Sequence, residues 1–202
     1  MGSILLSTAY FPPISWVREA LNADKIFIEA WETYPKQTYR NRCRIAAANG
    51  PLSLSVPVTK VNGKGTMTKD IRICYDEDWQ RLHRRSMEDA YTNSPFYLYF
   101  WDEIRPFFEK KFSFLLDLNM ELTFALIRIL GKKIEINFTD AFEKEPAGLA
   151  DLRNSITPKL PVEEDKFPRY PQVFEEKSGF QPDLSVIDLI FNEGPASLDY
   201  FE

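Results

Sequence analysis

Three arginines at alternate positions dominate the run Lys36-Gln37-Thr38-Tyr39-Arg40-Asn41-Arg42-Cys43-Arg44. If residues 39–47 form a strand, Arg40, Arg42 and Arg44 share one face. Guanidiniums in a row repel one another unless anions or carboxylates sit among them. A phosphate-bearing ligand such as a nucleotide or nucleotide-sugar meets that need through bidentate contacts, with Lys36 as a further cation. The plainer alternative is a solvated strand face paired with Glu29, Glu32 or acidic residues near the C-terminus. Cys43 falls on the opposite face with Asn41 and Ile45 and reads as a core residue. Its other reading is a nucleophile whose pKa the flanking arginines depress.

Acid–base candidates are few. Glu29 and Glu32 lie where a strand gives way to a loop, and Tyr10 follows the end of an earlier strand. If those strands are parallel, Tyr10 and Glu29 stand at their carboxyl edge, where open α/β sheets bind ligands. Glu29 and Glu32 are then candidate general bases; their competing role is pairing with the arginines. His83 is the one histidine, so any imidazole chemistry runs through it. It shares a helical stripe with Trp79, Met87 and Ala90, a setting that also suits a hydrogen-bonded packing residue. Asp188 and Asn192 stand four apart among Leu184, Ile187, Leu189, Ile190 and Phe191. They are either buried and hydrogen-bonded or lining a site. The aromatic run PFYLYFW at 95–101 reads as core or helix interface. No GxGxxG, Walker A, HExxH or CxxC motif occurs, and no metal or cofactor is expected.

Positioning these residues calls for mixed structure. Residues 4–9 are an apolar run, hence a buried strand. Pro12-Pro13 opens a helix over 15–21, and residues 25–30 are a second strand. Together they make a βαβ unit, for which a right-handed parallel crossover is favoured. Residues 39–47 and 52–58 flank Asn49-Gly50-Pro51 as a hairpin, and 71–75 adds a strand. The apolar period then lengthens from 2 to about 3.6. Asp76 or Asp78 caps a helix to about Tyr91, Ser94-Pro95 starts another, and residues 113–130 make a third that ends at Gly131. Residues 133–138, KIEINF, alternate like a strand returning to the sheet. Residues 183–188 begin a short capped helix ending at Gly194-Pro195. The expected fold is α/β or α+β: a mixed sheet with a βαβ start and a hairpin, and a helical layer over 77–131.

Composition bounds the rest. The chain has 202 residues, 44% apolar and 14% aromatic, enough for a sizeable core. Its net charge of -5 argues against a nucleic-acid binder. That charge is unevenly spread: residues 141–202 hold 13 acidic and 6 basic residues, the first 140 hold 17 and 19. A mildly basic body (1–140) therefore carries an acidic, proline-rich arm (141–202). The arm's terminal helix is too apolar to stay free, so it is expected to dock and make 1–202 one domain. Cys43 and Cys74 lack metal-ligand spacing, and one histidine cannot build a zinc site. Two reduced thiols point to the cytoplasm. No apolar stretch reaches the roughly 18 residues of a membrane span, and the opening residues show no signal-peptide pattern.

In order along the chain come LLSTAYFPP, IEAWETYPKQTYRNRCRI, LSLSVPV, WQRLHRRSMEDAYTNSPF, FEKKFSFLLDLN and YPQVFEEKSGFQPDLSVIDLIFNEGP. These segments resemble the WbqC-like family, in the branch common in Bacteroidetes. The resemblance implies a role in O-antigen-type surface-polysaccharide biosynthesis on a nucleotide-linked or phosphorylated amino sugar, with acyl or aminoacyl transfer to its amine. It directs attention to Tyr10, Glu29, Glu32, Lys36, Tyr39, Asn41, Arg42, Cys43, His83, Tyr91, Asp188 and Asn192. It also implies histidines where this chain has Trp31 and Ser178, two departures that bear on whether chemistry is retained.

The expected site thus takes its catalytic group from Glu29, His83, Glu32 or Cys43. Tyr10, Lys36, Tyr39, Arg40, Asn41, Arg42, Arg44, Tyr91, Asp188 and Asn192 are the binding residues for a small anionic substrate. The alternative is a non-catalytic binding or scaffold protein of envelope or polysaccharide assembly. In that case the arginines pair internally and the acidic arm faces a partner.

Overall fold

A computed structural model describes residues 2–201. Contiguous apolar runs place β1 (Ser3–Ser7) and β2 (Lys25–Glu29) side by side, joined by α1 (Ile14–Leu21). The strands are parallel, with Ser3 opposite Lys25 and Ser7 opposite Glu29, so the βαβ unit is present. Pro13, at the N-cap of α1, has no side chain to offer the helix's free N–H groups. Asp183 supplies the missing acceptor from far along the chain. Its Oδ1 accepts from the Ser15 backbone N–H at 2.8 Å and its Oδ2 from the Ser15 hydroxyl at 3.0 Å.

β3 (Arg42–Ile45) and β4 (Leu52–Ser55) form the expected hairpin, but as a separate antiparallel sheet beside the main one. β3 begins at Arg42, three residues later than the alternation predicts. The carbonyls before it are taken elsewhere: that of Tyr39 by the Tyr10 N–H, that of Arg40 by the Asn119 side chain, and that of Asn41 by the Val56 N–H. Arg40 therefore leaves the row, and only Arg42 and Arg44 share the strand face. β5 (Val58–Thr59) and β6 (Arg72–Ile73) make a second small antiparallel pair.

The helical layer falls within the expected span as α2 (Trp79–Tyr91), α3 (Tyr97–Ile104) and α4 (Leu115–Ile129). Asp78 stands at the N-cap of α2, yet its carboxylate holds Arg81 at 2.6 Å and caps no backbone N–H. α4 stops as predicted. Gly131 adopts φ +72°, its N–H donates to the Arg128 carbonyl, and that of Lys132 donates to Ile127. This is a Schellman turn.

β7 (Ile136–Phe138) returns to β2, and β8 (Ala150–Asp151) adds to the far side of β1. The main sheet is thus four parallel strands in the order β7-β2-β1-β8. The arm supplies β8, then the single turn α5 (Glu175–Ser178), then α6 (Val186–Glu193). Val186, Ile187, Leu189, Ile190 and Phe191 of α6 are fully buried in the same apolar core as β1, β2 and the helical layer. The Ser185 hydroxyl accepts from the Ile187 N–H to cap this helix. Gly194 ends it at φ +57°, where any Cβ would run into the Phe96 ring.

Candidate functional site

The parallel register brings four strand ends together. Glu29 closes β2 and is fully buried. Its Oε1 accepts from the Trp31 N–H at 2.8 Å and from the Thr139 hydroxyl, just beyond β7, at 2.9 Å. Its Oε2 accepts from Arg153 Nη1, just beyond β8, at 2.9 Å. Arg153 is also held by Asp151, by the Lys144 carbonyl and over the Phe142 ring. Ser7, opposite Glu29 at the end of β1, donates to the Arg153 carbonyl at 3.0 Å and accepts from Arg40 Nη2. Arg40 in turn forms a two-pronged pair with Glu32, at 2.6 Å and 2.8 Å.

Each charge in this network has an opposite partner, and each carboxylate is nearly or wholly saturated with donors. A buried pair of this kind contributes little net stability, but removing one member strands the other without water. On one side of the network an open cleft of about 270 Å³ lies over Leu5, Phe27 and Phe138, with Glu29 and Thr139 at its inner end. Asp140 and Glu143 stand on its rim. On the other side is a chamber of about 10 Å³, between Thr8, Tyr39, Arg40 and Arg153. The Thr8 hydroxyl there is buried without a hydrogen-bond partner.

A second polar cluster lies behind the helical layer. The Tyr10 hydroxyl meets His83 Nδ1 at 3.0 Å, and the His83 ring also bonds the Ser55 backbone. Trp79 packs edge-on to the imidazole at 5.1 Å. Burial pushes the His83 pKa down to about 4, so the ring is neutral. Nearby, Asp188 Oδ2 accepts from the Tyr170 hydroxyl at 2.7 Å and from Gln172 at 3.1 Å. The Tyr91 hydroxyl faces the same carboxyl and accepts from the Ala46 N–H. Burial raises the Asp188 pKa to about 6, against the hydrogen bonds that lower it. Asn192 donates to the Asp188 carbonyl within the helix, at 2.7 Å.

Glu29, Glu32 and Arg40 are thus gathered at the sheet edge, with the buried Tyr39 ring in the chamber wall. Tyr10 and His83 meet each other, and Tyr91 meets Asp188. None of the five principal cavities joins Glu29, Arg42 and His83. Arg42 reaches the Ser55 hydroxyl at 3.1 Å, Asn41 the Val56 carbonyl at 2.9 Å, and Lys36 is exposed. Arg44 lies near Tyr39 and Asp183. Cys43 is fully buried, and burial pushes its thiol pKa well up, which disfavours the thiolate. Sequence reasoning missed Ser7, Thr139, Asp151 and Arg153. The first could have been found from the in-register pairing with Glu29. Arg153 carried no signal, because its role depends on the two-residue strand before it.

Of the two positions where the resemblance implies histidine, Trp31 adjoins Glu29 through its backbone and lies under Lys69 Nζ at 4.3 Å. The Ser178 hydroxyl donates to the Phe174 carbonyl just before α5, and the Ser178 carbonyl accepts from Gln181. Among the described residues no group of three or more His, Cys, Asp or Glu is arranged to hold a metal, and no helix is long and apolar enough to cross a membrane.

An uncharacterized Mycobacterium tuberculosis protein, Rv1507c, is 27% identical over 220 residues, spanning 95% of this chain and 90% of its own. No solved structure matches. The model of the WbqC-like protein family matches residues 8–155 and 153–200, and with nearly every element of the fold inside those bounds, the chain belongs to that family.

Proposed function

We propose that this chain is a cytoplasmic enzyme of surface-polysaccharide biosynthesis acting on a nucleotide-linked or phosphorylated amino sugar. The observation that supports it most is the position of Glu29, Thr139 and Arg153. They converge at the carboxyl edge of a parallel sheet, beside an open cleft, where α/β sheets of this kind take ligands. The cleft has apolar walls and an acidic rim, Asp140 and Glu143, a combination that suits a sugar carrying an amine. Acyl or aminoacyl transfer to that amine is the matching reaction class. Glu29, clamped by three donors, orients the site. Lys36, Arg42 and Arg44 stand outside the buried ion pairs and are the cations open to a phosphate.

A second reading has its own support. Arg40 and Arg153 are neutralised internally, and Leu98 and Tyr99 of α3 are about four-fifths exposed, at 82% and 80%. Both features suit a binding protein of envelope assembly. Thermal unfolding against a panel of nucleotide-linked amino sugars separates the two. An enzyme site shows stabilisation of about 2.7 kcal/mol at a hundredfold excess over Kd, reduced in Arg42→Ala and kept in Arg85→Ala. No shift across the panel, with a protein partner co-purifying, supports the binding protein instead.

A further inference from the structure

A second cleft, of about 260 Å³, opens between α1 and the segment that follows β8. It belongs to neither polar cluster described above. Arg18 stands in its wall and is held without a carboxylate. Its Nη1 donates to the Lys166 carbonyl at 3.0 Å, and its guanidinium lies over the Phe167 ring at 5.0 Å and the Tyr200 ring at 5.9 Å. Among the described residues no ion pair neutralises it. The rings and the carbonyl fix the plane of the guanidinium, so its remaining N–H donors form a fork already oriented for an oxyanion.

The other polar groups of the cleft are hydroxyls and spent charges. Ser155 and Thr157 line it. Glu163 is held by Lys166 at 2.9 Å, and Asp183 accepts from the two donors of Ser15 and feels the charge of Arg18 without an ion pair to it. Among the described residues neither Glu19 nor Asp183 has an ion-pair partner, and two such carboxylates in the lining disfavour a ligand of high negative charge. At the deep end, Leu152 and Ile156 are shared with the small chamber where the Thr8 hydroxyl, 2% exposed, lacks a partner. The volume is on the scale of one sugar ring, as is that of the cleft beside Glu29.

We propose that this cleft binds a small hydroxylated ligand with a single anionic group, a sugar phosphate or sugar acid. Arg18 holds the anion, Ser155 and Thr157 meet ring hydroxyls, and Leu152, Ile156 and Phe167 cover the apolar face. The inference goes beyond the function proposed above, because it concerns another cleft with none of its residues in common, where Arg18 holds the anion.

Isothermal titration with a hexose monophosphate, a hexuronic acid and the neutral hexose tests it. Either or both anions bind, at least about tenfold more tightly than the neutral sugar, as expected for a charge-assisted fork; which one binds identifies the source. Arg18→Gln weakens that binding about tenfold or more, Arg18→Lys weakens it less, and Arg42→Ala leaves it unchanged. Since Arg18 also braces Phe167 and Tyr200, Thr157→Val gives a second reading: weaker binding with an unaltered unfolding midpoint. Equal affinity for the neutral hexose, no binding of either anion at millimolar concentration, or affinity unmoved by Arg18→Gln and Thr157→Val overturns the inference. None of these outcomes depends on whether nucleotide-sugars stabilise the protein.

Discussion

The sheet edge and the cluster behind the helices bury polar groups in opposite ways. At the edge, Glu29 pairs with Arg153 and Glu32 with Arg40, each ion pair buried. Behind the helices, His83 and Asp188 have no ionic partner among the described residues, and burial displaces their pKa values toward the neutral forms. The edge is therefore sensitive to loss of a partner and the interior to pH. A ligand site gains from the first arrangement, since paired charges hold side chains in fixed positions beside a cleft. The second arrangement joins the arm to the body: Tyr91 comes from α2, while Tyr170, Gln172 and Asp188 come from the arm.

The largest break in that contrast is Arg153→Ala. It leaves Glu29 charged, buried and unpaired, and the expected loss is about 3–5 kcal/mol in urea unfolding. Combining Glu29→Gln with Arg153→Met restores most of it, because neither member is then stranded. A double variant as unstable as the single one would mean that Arg153 acts by packing.

The next effects are in pH. Asp188 has an ordinary pKa near 3.8 and a folded value of about 6. The folded state holds more protons between those values, so this group's stabilisation is full below about pH 4 and lost as pH rises through 6. Two units amount to about 3 kcal/mol. Asp188→Asn removes that dependence, so its stability relative to the parent improves by about that much from pH 4 to 7. His83 has the opposite sign, with a folded value of about 4 against 6.5. Its stability contribution is lost as pH falls through that window, so His83→Gln gains on the parent by about 3 kcal/mol on acidification. Unfolding midpoints measured from pH 4 to 7.5 should diverge in opposite directions for the two variants. Parallel curves would mean that neither group is buried neutral. The smallest effect sharpens the contrast from outside: Arg42→Ala, which loses a bond to an exposed serine hydroxyl, should change stability by less than about 0.5 kcal/mol.

Much of this architecture was legible in the residue pattern, for identifiable reasons. β1, α1 and β2 were readable because two unbroken apolar runs flank a helix opened by Pro12-Pro13, and the helical layer and the return of KIEINF to the sheet because their apolar residues are periodic. The Gly131 stop was readable because a left-handed residue there demands glycine. The site was less so. Arg40, Arg42 and Arg44 alternate as strand residues do, but carbonyl contacts from Tyr10, Val56 and Asn119 hold the chain off the ladder until Arg42. The alternation could not report those distant partners. β8 is two residues long with no pattern of its own, and Arg153 acquires its place only through it. Asp188 and Asn192 were readable as polar residues four apart on an apolar helix, but the link of Asp188 to Tyr91 and Tyr170 is purely tertiary.

Asp183 caps α1 from a position 168 residues away along the chain. During synthesis the first βαβ unit therefore emerges with its helix uncapped and one flank of β1 without a neighbour. The flank is covered when β8 emerges at residues 150–151, and the helix is capped only when Asp183 follows. Contacts of such long sequence separation slow folding and prolong exposure of unpaired strand edges. The nascent protein thus waits for two later segments: a chain halted before Ala150 would present an open sheet edge to the quality-control machinery, and one halted between Asp151 and Asp183 an uncapped α1.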